Sequence, residues 1–101
     1  MLEIARKAVG KVERKSRADY DADENLRLAL AHLIQILGEA GSRVSSAFRE
    51  THPEIPWSEV IGMRHKVVHD YMDVQDDVVW ETVTHDLPPL ISALKHAVPD
   101  A

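Results

Sequence analysis

Apolar residues recur at helical spacing in nearly every segment of the chain, and no stretch keeps the period-two alternation of a half-buried strand. Leu2, Ile4, Ala5, Ala8, Val9 and Val12 form one stripe with charges opposite, which predicts a first helix over 2–15. The polar stretch SRADYDADEN follows. A second and longest helix is expected from Asp23, a favoured N-cap residue type, to about Arg49. Along it Leu26, Leu30, Leu33, Leu37, Ala40, Val44 and Ala47 alternate steps of four and three, the seam of a helix packed lengthwise in a bundle. A second apolar set, Leu28, Ile34 and Ile36, widens that surface and asks for a further helix or a second subunit on the other flank. Gly38 and Gly41 each cost roughly 1 kcal/mol relative to Ala inside a helix, a cost that a close backbone approach would explain.

The two prolines of THPEIP, residues 51–56, break the pattern. A third helix is expected to start at Trp57 or Ser58 and to end between Asp70 and Asp73. The fourth begins after DVQDD, whose acids suit a helix N-terminus, and carries Val78, Val79, Val83 and Leu87. Pro88 and Pro89 then kink the chain or open a short last helix, 90–98. The reading is an all-α bundle of four to five helices in a single domain, 1–101.

Composition narrows the function. Absence of cysteine removes disulfides, thiolate metal sites and thiol catalysis, and suits a cytoplasmic location. No run approaches the ~20 apolar residues of a membrane span, and the N-terminus lacks a signal-peptide core, so the chain is read as soluble and unprocessed, without a membrane partner. Net charge is −5, unevenly spread. Residues 1–17 hold six Lys or Arg against two Glu, whereas residues 18–101 hold six against fifteen acids. An acidic body disfavours broad binding along a nucleic acid backbone, though a local phosphate site remains open.

The segment RHKVVHDY, 64–71, places titratable side chains in an otherwise apolar helix. With Val60 at 0° and 100° per residue, Arg64 and Tyr71 fall inside the apolar face, while His65 and His69 fall near 140° and 180° on its flank. On a continuous helix Arg64 and His69 would diverge by about 140°. A buried guanidinium needs a partner. One reading is an ion pair with a carboxylate such as Glu39 of the long helix. A second is a phosphate site, in which Arg64 binds a phosphodiester bidentately and a histidine moves a proton. A third is a metal pair of His65 and His69 at i, i+4, for which the glutamate of H-E-x-x-H is missing and no third ligand is evident, although Asp73 is near.

The stretch 38–90 resembles the HepT toxin branch of the HEPN superfamily. The likeness is carried by GEA at 38–40, IPW at 55–57, GMR at 62–64, Arg64-x4-His69-x-Tyr71, VW at 79–80 and DLPPL at 86–90. It implies a homodimeric helical bundle whose two Arg and His motifs line one cleft. It also implies a metal-independent endoribonuclease toxin, needing no cofactor, paired with an MntA-like nucleotidyltransferase antitoxin in a type VII toxin-antitoxin system. By the same resemblance Arg64 is the phosphate and transition-state ligand, His69 the acid or base, His65 an assisting residue, and Tyr71 the site to which the partner attaches AMP. The competing expectation is a non-catalytic module that binds a nucleotidyltransferase or a nucleotide through that cleft.

Overall fold

The computed structural model describes the backbone of residues 1–70, 73–74 and 76–97, and the side chains of residues 1–63, 65 and 76–97. Among these residues the chain forms seven α-helices, one π-helical turn and one small ribbon. They are α1 (Leu2–Val12), α2 (Arg17–Ala22), α3 (Glu24–Ser42), α4 (Ser46–Thr51), α5 (Trp57–Val67), β1 (Val68–Asp70), β2 (Asp73–Val74), α6 (Asp76–Glu81) and α7 (Leu87–Ala97), with the π turn at Thr82–Asp86. The all-α class holds, and the paired strands are an addition that the helical periodicity did not predict.

Helix α3 is the spine. It packs on α5 most extensively and on α1 next. Its fully covered positions are Leu30 and Ile34, with Leu37 at 1% exposure, so the buried stripe includes one residue from each apolar set read in the sequence. Leu28 of the second set stays 58% exposed. Asp23 caps α3 as expected, its Oδ1 accepting from the Leu26 N–H at 3.1 Å. Asp23→Ala should cost about 1 kcal/mol, the usual loss for a cap, read as a lower urea midpoint with unchanged slope.

Several boundaries differ from the periodicity reading, among them the end of the first helix, which stops at Val12 rather than 15. The long helix expected to reach Arg49 ends at Ser42. There the Arg49 guanidinium donates to the carbonyls of Val44 and Ser42 at 3.0 and 3.1 Å, and the Ser45 hydroxyl accepts from the Phe48 N–H to start α4. Both termini are thus satisfied by side chains, which makes the break affordable. The polar stretch after α1 also folds. Ser16 and Asp19 form a reciprocal capping box at 3.1 and 2.9 Å and open α2. Donation from the Ser16 main-chain N–H holds the Asp19 carboxyl below its usual range.

Pro88 and Pro89 stand in the first turn of the expected last helix, α7, which opens at Leu87, three residues before the expected start, and follows the π turn directly. Helical structure runs from Asp76 to Ala97, and the π turn lies just before the prolines. A proline lacks an N–H and its ring crowds the carbonyl four residues earlier, here Thr84 and His85. Widening that turn accommodates both, and the Leu87 N–H reaches back five residues to Thr82.

Gly41 confirms the expected close approach. A Cβ built there would stand 2.9 Å from Cγ1 of Val60, itself wholly buried on α5. The contact fixes α5 against the spine one turn before Arg64.

Candidate active site

Two supports hold the start of α5. The Trp57 indole N–H donates to the His52 carbonyl at 2.9 Å, and Phe48 meets the Trp57 ring edge-on at 6.1 Å between centroids. Val60 and Met63 then turn into the core, as the helical wheel requires, and His65 is exposed on the flank. The helix stops at Val67, short of the expected 70–73. Val67 and Val68 are consecutive β-branched residues, stiff in a helix and at home in a strand, and His and Asp follow with weak helix propensity.

That early end changes the geometry of the motif. Arg64 lies on the last turn of α5, whereas His69 lies beyond the helix, on β1. Val68 pairs with Val74 and Asp70 with Asp73, so three residues of β1 face two of β2. His69 is the extra residue, in the position of a β-bulge, a device that bends a strand and re-aims what it carries. The divergence of about 140° belonged to a continuous helix and does not apply across this junction. The same junction removes the helical i, i+4 premise of a His65–His69 metal pair.

The side chains of Arg64 and His69, and Tyr71 altogether, lie outside the described residues. The expected Arg64–Glu39 pair therefore lies outside them too; Glu39 itself is exposed on α3. No group of three or more potential metal ligands occurs among the described residues. Among them, too, no helix is long and apolar enough to cross a membrane.

A family model described as Ribonuclease HepT-like matches residues 1–97. The chain belongs to the HepT-like ribonuclease family. It is 36% identical over 93 residues to a protein named "Probable ribonuclease HepT" from Thermococcus cleftensis, an alignment covering 88% of this chain and 84% of the relative. It is 34% identical over 87 residues to TTE0752 of Caldanaerobacter subterraneus, provisionally named an RNase, covering 86% of this chain and 78% of the relative. It is also 34% identical over 76 residues to MJ0434 of Methanocaldococcus jannaschii, named as a gamma-glutamylcyclotransferase joined to an RNase, with 75% of this chain matching 34% of that longer protein. No solved structure matches.

One cluster in this HepT-like domain escaped the sequence reading. Tyr20 of α2 is fully buried, and its hydroxyl donates to the main-chain carbonyl of Asp76 at 3.2 Å, with Oδ1 of the same residue at 3.5 Å. Its ring lies 5.2 Å from that of Trp80, and the Arg17 guanidinium sits 5.7 Å from the Tyr20 ring centroid. Arg17 also pairs with Asp77 and, at 2.8 Å, with Asp21, while Arg27 of α3 approaches the Asp76 carboxylate at 3.9 Å. Burial, reinforced by the Asp76 charge, pushes the Tyr20 pKa above its ordinary value, so at neutral pH the hydroxyl stays a donor. The available signals were the S-x-x-D capping pattern at 16–19 and a lone aromatic in a polar stretch.

Proposed function

We propose that this HepT-like protein is a metal-independent endoribonuclease toxin acting through Arg64 and His69. The observation that carries the reading is the junction after α5, which puts the motif arginine on the last helical turn and the motif histidine at a bulge position immediately beyond it. His69 thereby leaves the helical cylinder that still carries Arg64, within a six-residue span. Membership of a family named for ribonuclease supports the same reading.

In the proposed reaction His69 takes the proton of a ribose 2′-hydroxyl, and that oxygen attacks the adjacent phosphorus. The P–O2′ bond forms and the P–O5′ bond breaks, leaving a 2′,3′-cyclic phosphate and a 5′-hydroxyl that takes up a proton. Arg64 stabilises the charge that builds on the non-bridging oxygens. Exposed His65 assists on the flank. Purified protein should cleave total RNA in a magnesium-free buffer as fast with chelator as without it; loss of cleavage on chelation counts against the metal-independent mechanism.

The proposal extends to the assembly. Two subunits form one cleft, and the exposure of Leu28 on α3 supports a second copy covering that flank. An MntA-like nucleotidyltransferase is the antitoxin, and it silences the toxin by attaching AMP to Tyr71. Co-expression with such a partner should add AMP mass to the wild-type chain and none to Tyr71→Phe; equal labelling of both would move the modification elsewhere.

A second reading is favoured by the acidic body, net −9 over residues 18–101, which suits a non-catalytic module binding a nucleotidyltransferase or nucleotide better than it suits RNA. Tight complex formation with no RNA cleavage at any protein concentration would select it.

A further inference from the structure

Resting on the ribonuclease reading, we infer that Tyr20, with Arg17 and Arg27, is a positioning residue for the motif ribbon. The ribbon β1–β2 is a two-stranded pair of three and two residues, too small to hold its own geometry. Its shape is therefore set where the chain enters and leaves it. The entry is α5, held on the spine by the Val60–Gly41 contact. The exit is the first turn of α6, which begins two residues after β2.

That exit is where the cluster around buried Tyr20 converges. Tyr20 from α2 and Arg27 from α3 meet Asp76, and Arg17 from α2 meets Asp77. Trp80, one turn further along α6, lies against the Tyr20 ring. The first turn of α6 is thus gripped by main-chain, charged and aromatic contacts from Arg17, Tyr20 and Arg27, which precede the motif arginine by 47, 44 and 37 residues. Acids at a helix N-terminus are favourable without partners, because they face the positive end of the dipole. The dipole does not account for a tyrosine rather than a phenylalanine at the buried position, or for an arginine drawn to each of the two acids.

Tyr20→Phe is the selective test, because it keeps the ring against Trp80 and removes only the hydroxyl. The variant should fold, and amides of residues 68–70, 73 and 74 should exchange at least tenfold faster, with α1 and α3 core amides unchanged. The kcat for RNA cleavage should fall roughly tenfold at unchanged KM, short of the ~10²-fold that a 1 Å misplacement can cost. A second variant pair checks the ionic arm. Arg17→Asp should slow cleavage, and adding Asp77→Arg should restore it by reversing the pair. Unchanged ribbon exchange in Tyr20→Phe overturns the positioning role whether or not the protein cleaves RNA. Failure of the wild type to cleave, with faster ribbon exchange in the variant, would instead retain the grip on the ribbon and remove the ribonuclease reading.

Discussion

His69→Ala should abolish RNA cleavage while leaving the protein folded. General acid–base catalysis is worth ~10² to 10⁴ in rate, so the variant should fall by at least the lower figure in kcat. Arg64→Ala should lose a comparable amount, ~10² to 10³, because it removes the cation opposite the charge that develops on the phosphate oxygens. The two losses should not multiply in the double variant, since residues that act as a unit are non-additive. His69 lies on a three-residue strand beyond the end of α5, and its truncation is expected to leave the helices folded, read as a nearly unchanged Tm. Cleavage of total RNA, followed by gel for wild type and the three variants at equal concentration, makes the comparison. Retained cleavage in His69→Ala would remove that residue from the chemistry.

Gly41→Val should have the largest effect on stability. The first atom it adds would stand 2.9 Å from Val60 Cγ1, and the next nearest neighbour is Ile61 Cγ1 at 3.6 Å. Val60 is wholly buried and β-branched, so relief requires α5 to move away from α3. Overpacking of this kind costs ~1 to 3 kcal/mol, occasionally more, and a branched side chain at so short a distance belongs at the upper end. The better helix propensity of valine over glycine returns only a few tenths of a kcal/mol. For a domain of this size ~3 kcal/mol corresponds to a Tm lower by roughly 10 to 20 °C. Because the displaced helix carries Arg64 one turn after Val60, cleavage should also fall under conditions where the variant is still folded. A Tm equal to or above that of wild type would show that the α3–α5 contact tolerates the added volume.

The helical class, the Asp23 cap, the start of α5 at Trp57 and the close approach at Gly41 were legible in the sequence. Each rests on a local rule: a stripe with period 3.6, a cap residue type, a proline breaker, or a glycine whose cost demands a reason. The misses have local causes too, but ones that compete with periodicity. The heptad-like spacing runs through Arg43 to Ser45 without interruption, and only the bonds from Arg49 and Ser45 reveal the break there. The polar stretch after α1 has too few apolar residues to display a stripe, yet a capping box and one buried tyrosine fold it. The end of α5 was overrun because Tyr71 continued the apolar face on paper. The paired valines and the short ribbon after them override that pattern.

For the candidate site, the identity of the motif came from sequence, while its local arrangement came from the fold. A continuous helix would set Arg64 and His69 about 140° apart, and the helix-to-strand junction lifts that constraint. The grip on α6 by Arg17, Tyr20 and Arg27 depends on pairs 49 to 60 residues apart, which no local pattern encodes.

The proposed function stands or falls on attack by the neighbouring 2′-oxygen of RNA, without a metal. A short oligoribonucleotide containing a mapped cleavage site, beside the same strand with a single 2′-deoxy substitution at the attacking ribose, tests it most directly when both are incubated in chelator and the products weighed by mass spectrometry. The all-ribose strand should yield a 2′,3′-cyclic phosphate, and the substituted position should stay uncut. Cutting at the deoxy position, or an initial product that ends in a linear phosphate, would contradict it.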